Sequence, residues 1–330
     1  MADHNNQTRK RLLANAFGNG FAIPPVIIAV FVLMTLRGIA LLPDGYDGSN
    51  GLNDSLLFLL MLWALGMVVR AVEPGSRLAS CLTALILFCL ISFTGALAAA
   101  ANAIGGGDYI DPWLVDIDAA LFPFYDWKAV AIALPNYDWA YWALNKIYNS
   151  LSWQPFLFIF ATAFLGYLRD LSAFLTAWGL GLLLCVLPFH WLPALSPMNY
   201  YNIAREDLPL HQTDLPWRFL PVIEGIRDGS TRAIGLDNLT GMVTVPSFHA
   251  CGATILAWAF WRYKRVRYPF LVLNISMALA AVPIGSHYII DIVIGVGVGL
   301  LAAFGATQFN LGSVKSGSNW YPNQGSPEPA

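Results

Sequence analysis

The chain has 330 residues, of which 57% are hydrophobic and 12% charged, with a formal net charge of -2 and a mean hydropathy of +0.57. A soluble domain carries about 25% charged residues to solvate its surface, so half that share excludes an ordinary water-facing exterior and assigns much of it to lipid. The net charge says little about partners, and no basic stripe points to nucleic acid.

Met1 to Gly20 is polar, with a basic knot at Arg9-Lys10-Arg11. The apolar run that follows is too long for a cleaved signal peptide and predicts a retained first span. A helix needs about 20 apolar residues to cross a bilayer. Eight stretches qualify, near 21–43, 54–72, 78–103, 140–167, 171–194, 243–262, 268–285 and 287–309. The expected fold is all-α, a polytopic transmembrane helical bundle. Residues 1–20 form a cytoplasmic N-terminal segment, 21–103 hold three accessory spans, 104–309 form the membrane core, and 310–330 form a disordered cytoplasmic tail poor in residues to bury.

Lys and Arg are retained in cytoplasmic loops. With the N-terminus inside, Arg70, Arg77, Arg169, Arg262, Lys264, Arg265, Arg267 and Lys315 all fall inside, while the outer connections are rich in Asp. Two of those connections are long. The one near 104–139 mixes Asp108, Asp111, Asp116, Asp118 and Asp126 with aromatic residues, and predicts a re-entrant or interfacial helix. The one near 195–242 holds Arg205, Arg218, Arg227 and Arg232 and includes PWRFLPVIEGIRDG, a short amphipathic helix by its pattern. A loop of that length is expected to serve a site.

Two motifs on the outer side carry chemistry. In VPSFHACG, Ser247 is placed to cap a helix with His249 in its first turn. A helix start offers free N–H groups and the positive end of the dipole, which suits a phosphate. In GSHYIIDIVIG, Ser286 is placed to cap the last span, His287 falls in its first turn, and Asp291 follows four residues later on the same face. A carboxylate there fixes the imidazole tautomer and leaves the other nitrogen free to attack. Either motif alone also fits a plain capping serine or a His–Asp pair that ties helices together. His190 and His211 lack such a context and read as interfacial.

PSFH followed by HYIID resembles the second and third signatures of the type-2 phosphatidic acid phosphatase superfamily, closest to its inositol phosphorylceramide synthase-like (inositolphosphotransferase) branch. The resemblance covers about residues 105–308 and is strongest over 225–300. It implies a six-helix phosphatase/phosphotransferase-like core with His287 as the nucleophile that forms a phosphohistidine. Asp291 would orient it, His249 would protonate the leaving alkoxide, and Ser247 would contact the phosphate. It also implies a lipid phosphate substrate, with neither metal nor cofactor. Two departures stand out: the first signature, Lys-x6-Arg-Pro, has no counterpart, and the arginine expected six residues before His287 is Ala281. Phosphoryl transfer needs cations around the oxygens, and Arg227 and Arg232 are the candidates, with Arg205 behind them; nearby acids also fit plain surface pairing.

The expected function is a lipid phosphatase or phosphotransferase of a bacterial inner membrane, its site facing the periplasm, or the lumen in a eukaryote, where sequons at Asn53 and Asn238 would matter. The alternatives are a non-catalytic relative, a transporter or channel, and a metal site from His249, Cys251, His287 and Asp291. Transport calls for ionisable groups at the bilayer midplane. A metal has usable ligand types but no local ligand motif. The four cysteines read as small core residues, Arg37 as a snorkelling side chain, Asn274 as a helix-to-helix bond, and Gly295 and Gly299 as a close-packing face.

Overall fold

A computed structural model describes residues 25–41, 52–73, 75–103, 107–208, 215–230 and 242–315. The described residues form helices joined by turns, with no strand among them. In chain order these are α1 (Pro25–Leu41), α2 (Leu52–Val72), α3 (Arg77–Asn102), α4 (Asp111–Leu121), α5 (Trp127–Ala133), α6 (Asp138–Tyr148), α7 (Gln154–Leu165), α8 (Leu168–Val186), α9 (Pro197–Tyr200), α10 (Leu215–Arg227), α11 (Phe248–Trp261), α12 (Arg267–Ala280) and α13 (Ile289–Lys315). Arg37's side chain, Asn53's side chain, His211, Arg232 and Asn238 lie outside the described residues.

Among the described residues, three helical stretches are long and apolar enough to cross a membrane: Arg77–Asn102, Leu168–His190 and Ile289–Phe309. Leu60–Val72, Gln154–Leu165 and Phe248–Trp261 are shorter apolar helices. Large apolar side chains face outward from these elements, among them Val68, Leu300, Leu301 and Phe304. Exposed apolar faces of that extent do not persist in water, and they suggest membrane association.

The helical bundle centres on α8, α11 and α13, which pack on one another. On one side α12 lies between α11 and α6; on the other α3 packs against α7 and α8, with α1 and α2 outside it. The approach of α13 to α11 depends on two glycines. A Cβ on Gly295 would stand 2.4 Å from the Ser247 carbonyl oxygen, and one on Gly299 would stand 2.8 Å from that of Cys251. Gly297, between them, faces open space. The small-residue face is thus a seat for backbone against backbone. Overpacking of this kind costs about 1–3 kcal/mol, so Gly295→Ala is expected to lower the thermal midpoint in detergent, whereas Gly297→Ala leaves it unchanged. Equal midpoints for the two variants would contradict the packing.

Asn274 bonds a neighbouring helix, donating to Gln154 Oε1 at 2.9 Å. Gln154 in turn donates to Ser150 Oγ at 2.9 Å, and all three residues are buried. Satisfied polar groups of this kind tie helices together where lipid supplies no hydrophobic drive.

Three expectations need correction. The stretch 140–167 is not one continuous span: α6 ends at Tyr148, a 3-10 turn runs Asn149–Ser152, and α7 starts at Gln154 with Pro155 in its first turn. Proline disfavours helical backbone in the residue before it. Asn149 and Ser150 also turn their side chains back on the carbonyls of Asn145 and Ile147, offering an alternative to helical bonds. The last helix runs on to Lys315, past the expected start of the tail at Asn310. Its other end differs too, because α13 starts at Ile289 and His287 lies just before it rather than in its first turn.

Candidate active site

Ser247 caps α11 as its sequence position suggests, its side chain accepting from the Ala250 N–H. That geometry sets His249 in the first turn, where its ring stacks on Tyr148 with centroids 3.9 Å apart and planes 13° from parallel. Tyr148 lies at the end of α6, so the break in the fourth span delivers an aromatic plate to the imidazole. Gly285 makes room for it: a Cβ there would stand 2.8 Å from the Tyr148 ring.

His287 is buried and held from several sides. Its Nδ1 faces Asp291 Oδ2 at 3.4 Å, and its Nε2 faces Ser247 Oγ at 3.3 Å. Both distances are at the long end for hydrogen bonds, as is common before a substrate tightens a site. Asp291 is fully buried; its Oδ2 also accepts from the Tyr288 N–H at 3.0 Å. The Ser247 N–H donates to the Asp291 carbonyl at 3.2 Å, joining the two motifs directly. The rings of His249 and His287 lie 6.5 Å apart, centroid to centroid.

Ser286 does not cap α13. It sits at φ +56° and accepts from the Met198 N–H at 3.1 Å. The cap comes instead from a distant residue: Asp118 of α4 accepts from the N–H groups of Ile289 at 2.7 Å and Ile290 at 2.9 Å. Asp111, on the same helix, accepts from Leu195, Ser196 and the Tyr288 hydroxyl, the last at 2.8 Å. Burial pushes the carboxyl pKa of both aspartates up, and these hydrogen bonds pull against that rise. The aromatic and acidic connection is therefore helical, as expected, but two of its acids point into the site.

His249 and His287 border a cavity of about 560 Å³. Its polar rim includes Asn149, Ser152, Ser196, Thr244 and Ser286, and its apolar walls run through Ala99 and Phe88 of α3 to Phe156 and Trp178. Helix α3 falls in the segment read from sequence as accessory, yet it forms one wall of this space. Among the described residues no Arg or Lys lines the cavity. Arg227 packs its guanidinium over the Tyr109 ring and donates to the Gly107 carbonyl. Arg205 lies against Trp217. Arg232 is outside the described residues. The structure thus brings Ser247, His249, His287 and Asp291 together and leaves Arg227 apart from them. His190 is half-buried, its Nδ1 3.4 Å from the Asn102 carbonyl, and the sulfur of Cys251 packs against Gly181.

The contacts from Tyr148, Trp127, Asp111, Asp118 and Tyr288 were missed in the sequence. One signal was present: Asp111 and Asp118 are seven residues apart, two helical turns, which sets both on one face.

Residues 112–305 match a family model described as the PAP2 superfamily. No curated protein and no solved structure matches the chain.

Proposed function

Because the chain belongs to the PAP2 superfamily, whose membership supports a phosphatase-type function on lipid phosphates, we propose that it is a membrane enzyme that attacks the phosphorus of a lipid phosphate ester with His287. The observation that carries this reading is the convergence of two imidazoles on one cavity whose far walls are apolar, with the Ser247 hydroxyl 3.3 Å from His287 Nε2. Such a space suits an amphiphile, its phosphate at the histidines and its hydrocarbon along α3.

In the proposed reaction Asp291 holds the Nδ1 proton of His287, which leaves the Nε2 lone pair free. Nε2 forms a bond to phosphorus, the P–O bond to the leaving group breaks, and His249 gives its proton to the departing alkoxide oxygen. Ser247 donates to a phosphoryl oxygen. His249, now neutral, takes a proton from an incoming water or alcohol, whose oxygen attacks phosphorus and frees His287. Water gives hydrolysis; an alcohol gives phosphotransfer, the reaction of the inositol phosphorylceramide synthase-like branch.

The start of α11 is the proposed phosphate seat, since Asp118 takes N–H groups at the start of α13. We assign the missing cations to the stretch that holds Arg227 and Arg232. Support comes from its flanks: Phe219 of α10 precedes it, Met242 and Thr244 follow it, and all three line the cavity. Transport is the weaker reading, because the two histidines gather at helix ends rather than along a path through the bundle.

The test is purified protein in detergent supplied with phosphatidate, or with phosphatidylinositol plus a ceramide or diacylglycerol acceptor. Free phosphate identifies a phosphatase and a new phospholipid a transferase; turnover of none of these refutes the reading. We also propose that the site faces away from the cytoplasm, as the Lys and Arg distribution implies. Ser230→Cys, at an exposed position after α10, is then labelled in intact cells by a membrane-impermeant maleimide. Labelling only after lysis would reverse the orientation.

A further inference from the structure

We propose that Asp111, Asp118 and Trp127 are positioning residues that set the peptide carrying His287, an inference that rests on the phosphohistidine reading above. One short segment, from the start of α4 to the start of α5, supplies four hydrogen bonds to four consecutive residues. Trp127 Nε1 donates to the His287 carbonyl at 3.0 Å. The Tyr288 hydroxyl donates to Asp111 Oδ1 at 2.8 Å. The N–H groups of Ile289 and Ile290 donate to the two oxygens of Asp118.

The same clamp reaches the cavity wall. Asp111 also accepts from the N–H groups of Leu195 and Ser196, and both residues line the cavity. Ser286, immediately before the nucleophile, accepts from Met198 in that connection. Two loops distant in sequence are thereby referenced to one helix, and His287 sits where they meet.

Stability alone gives a poor account of these groups. Asp111 is 3% exposed, and both carboxylates are answered by N–H and O–H donors. A buried carboxylate carries a desolvation cost that apolar packing would avoid, and its retention is best explained by geometric specification. Two further effects follow from where the charge sits. Asp118 places an anion at the positive end of α13 and takes up N–H groups that could otherwise hold a phosphate there. The substrate phosphate is left the start of α11, on the side from which Nε2 attacks. The nucleophile is thus fixed in orientation through its own backbone, independently of the Asp291 contact to its ring.

Steady-state kinetics in detergent test this, with dioleoyl phosphatidate as one probe and phosphatidylinositol plus diacylglycerol as the other. Wild type, His287→Ala, Asp118→Asn and Trp127→Phe are compared, each with its thermal midpoint. A displaced reacting group costs about 10²-fold in rate, so Asp118→Asn is expected to lower kcat by that order with KM within about twofold. Trp127→Phe, which removes one donor and keeps the ring, should lower kcat less, again without a change in KM. It keeps the proposal testable if Asp118→Asn does not fold. Wild-type kcat in a folded Asp118→Asn or in Trp127→Phe, beside an inactive His287→Ala, overturns the clamp and spares the phosphohistidine reading. Full activity in His287→Ala, or no wild-type turnover of either probe, overturns both.

Discussion

His287→Ala is expected to eliminate turnover of every phosphate ester the protein accepts, while His249→Ala lowers kcat by about 10²–10⁴-fold on lipid substrates, the range for a lost general acid or base. The two variants separate on an activated ester. From p-nitrophenyl phosphate the leaving group departs as a stable phenolate and needs no proton from His249 in the bond-breaking step. That substrate should recover much of the rate of the cleavage step in His249→Ala under single-turnover conditions, and none in His287→Ala. Ring geometry underlies the distinction: His287 faces Asp291 through Nδ1 and Ser247 through Nε2, whereas His249 rests against Tyr148 and meets no carboxylate among the described residues. Equal rescue of both variants would remove the assignment of roles. Wild-type activity in either would remove the mechanism.

Filling the apolar end of the cavity should alter substrate preference without touching the chemistry. Ala99 is 5% exposed and lines the cavity from α3. An indole there takes space that the proposed model gives to hydrocarbon. Losing the burial of two or three methylenes, about 0.8 kcal/mol each, lowers kcat/KM about 30-fold. Ala99→Trp is therefore expected to lose that factor on a long-chain lipid phosphate and to process p-nitrophenyl phosphate at the wild-type rate. Measuring both substrates over a series of chain lengths checks it. An equal loss on both would mean that the substitution acts on the histidines, and the hydrocarbon would need another location.

What the sequence made legible depended on whether a feature is local. The all-helical fold follows from apolar run lengths. The cap at Ser247, the Asn274 bond and the Gly295–Gly299 seat all follow from helical spacing or residue size, and His287 meets Asp291 as the spacing suggests although it precedes the helix. Features formed between distant segments were not legible. Nothing near Ile289 announces that Asp118 caps it, because the cap lies 171 residues away; the nearby Ser286 was the obvious but incorrect candidate. The break after Tyr148 was obscured by continuous hydropathy across 140–167, since hydropathy registers lipid solubility and not backbone bonding. Asp111 and Asp118 of α4 served as orientation markers, and their carboxylates turned out to face inward. Helix α3 read as accessory because it precedes both motifs, and only packing reveals it as a wall of the cavity.

The glycine seat between α11 and α13 has a consequence for how such a protein can diversify. The interval between the helix that bears His249 and the one that His287 precedes is a ruler made of main chain, with Gly295 resting on the Ser247 carbonyl and Gly299 on that of Cys251. Side chains that shape the far end of the cavity come from other rods, chiefly α3, α7 and α8. Mutations there can accumulate without stretching the ruler, so under the proposed function the choice of hydrophobic cargo is free to drift while the spacing of the two histidines is inherited unchanged.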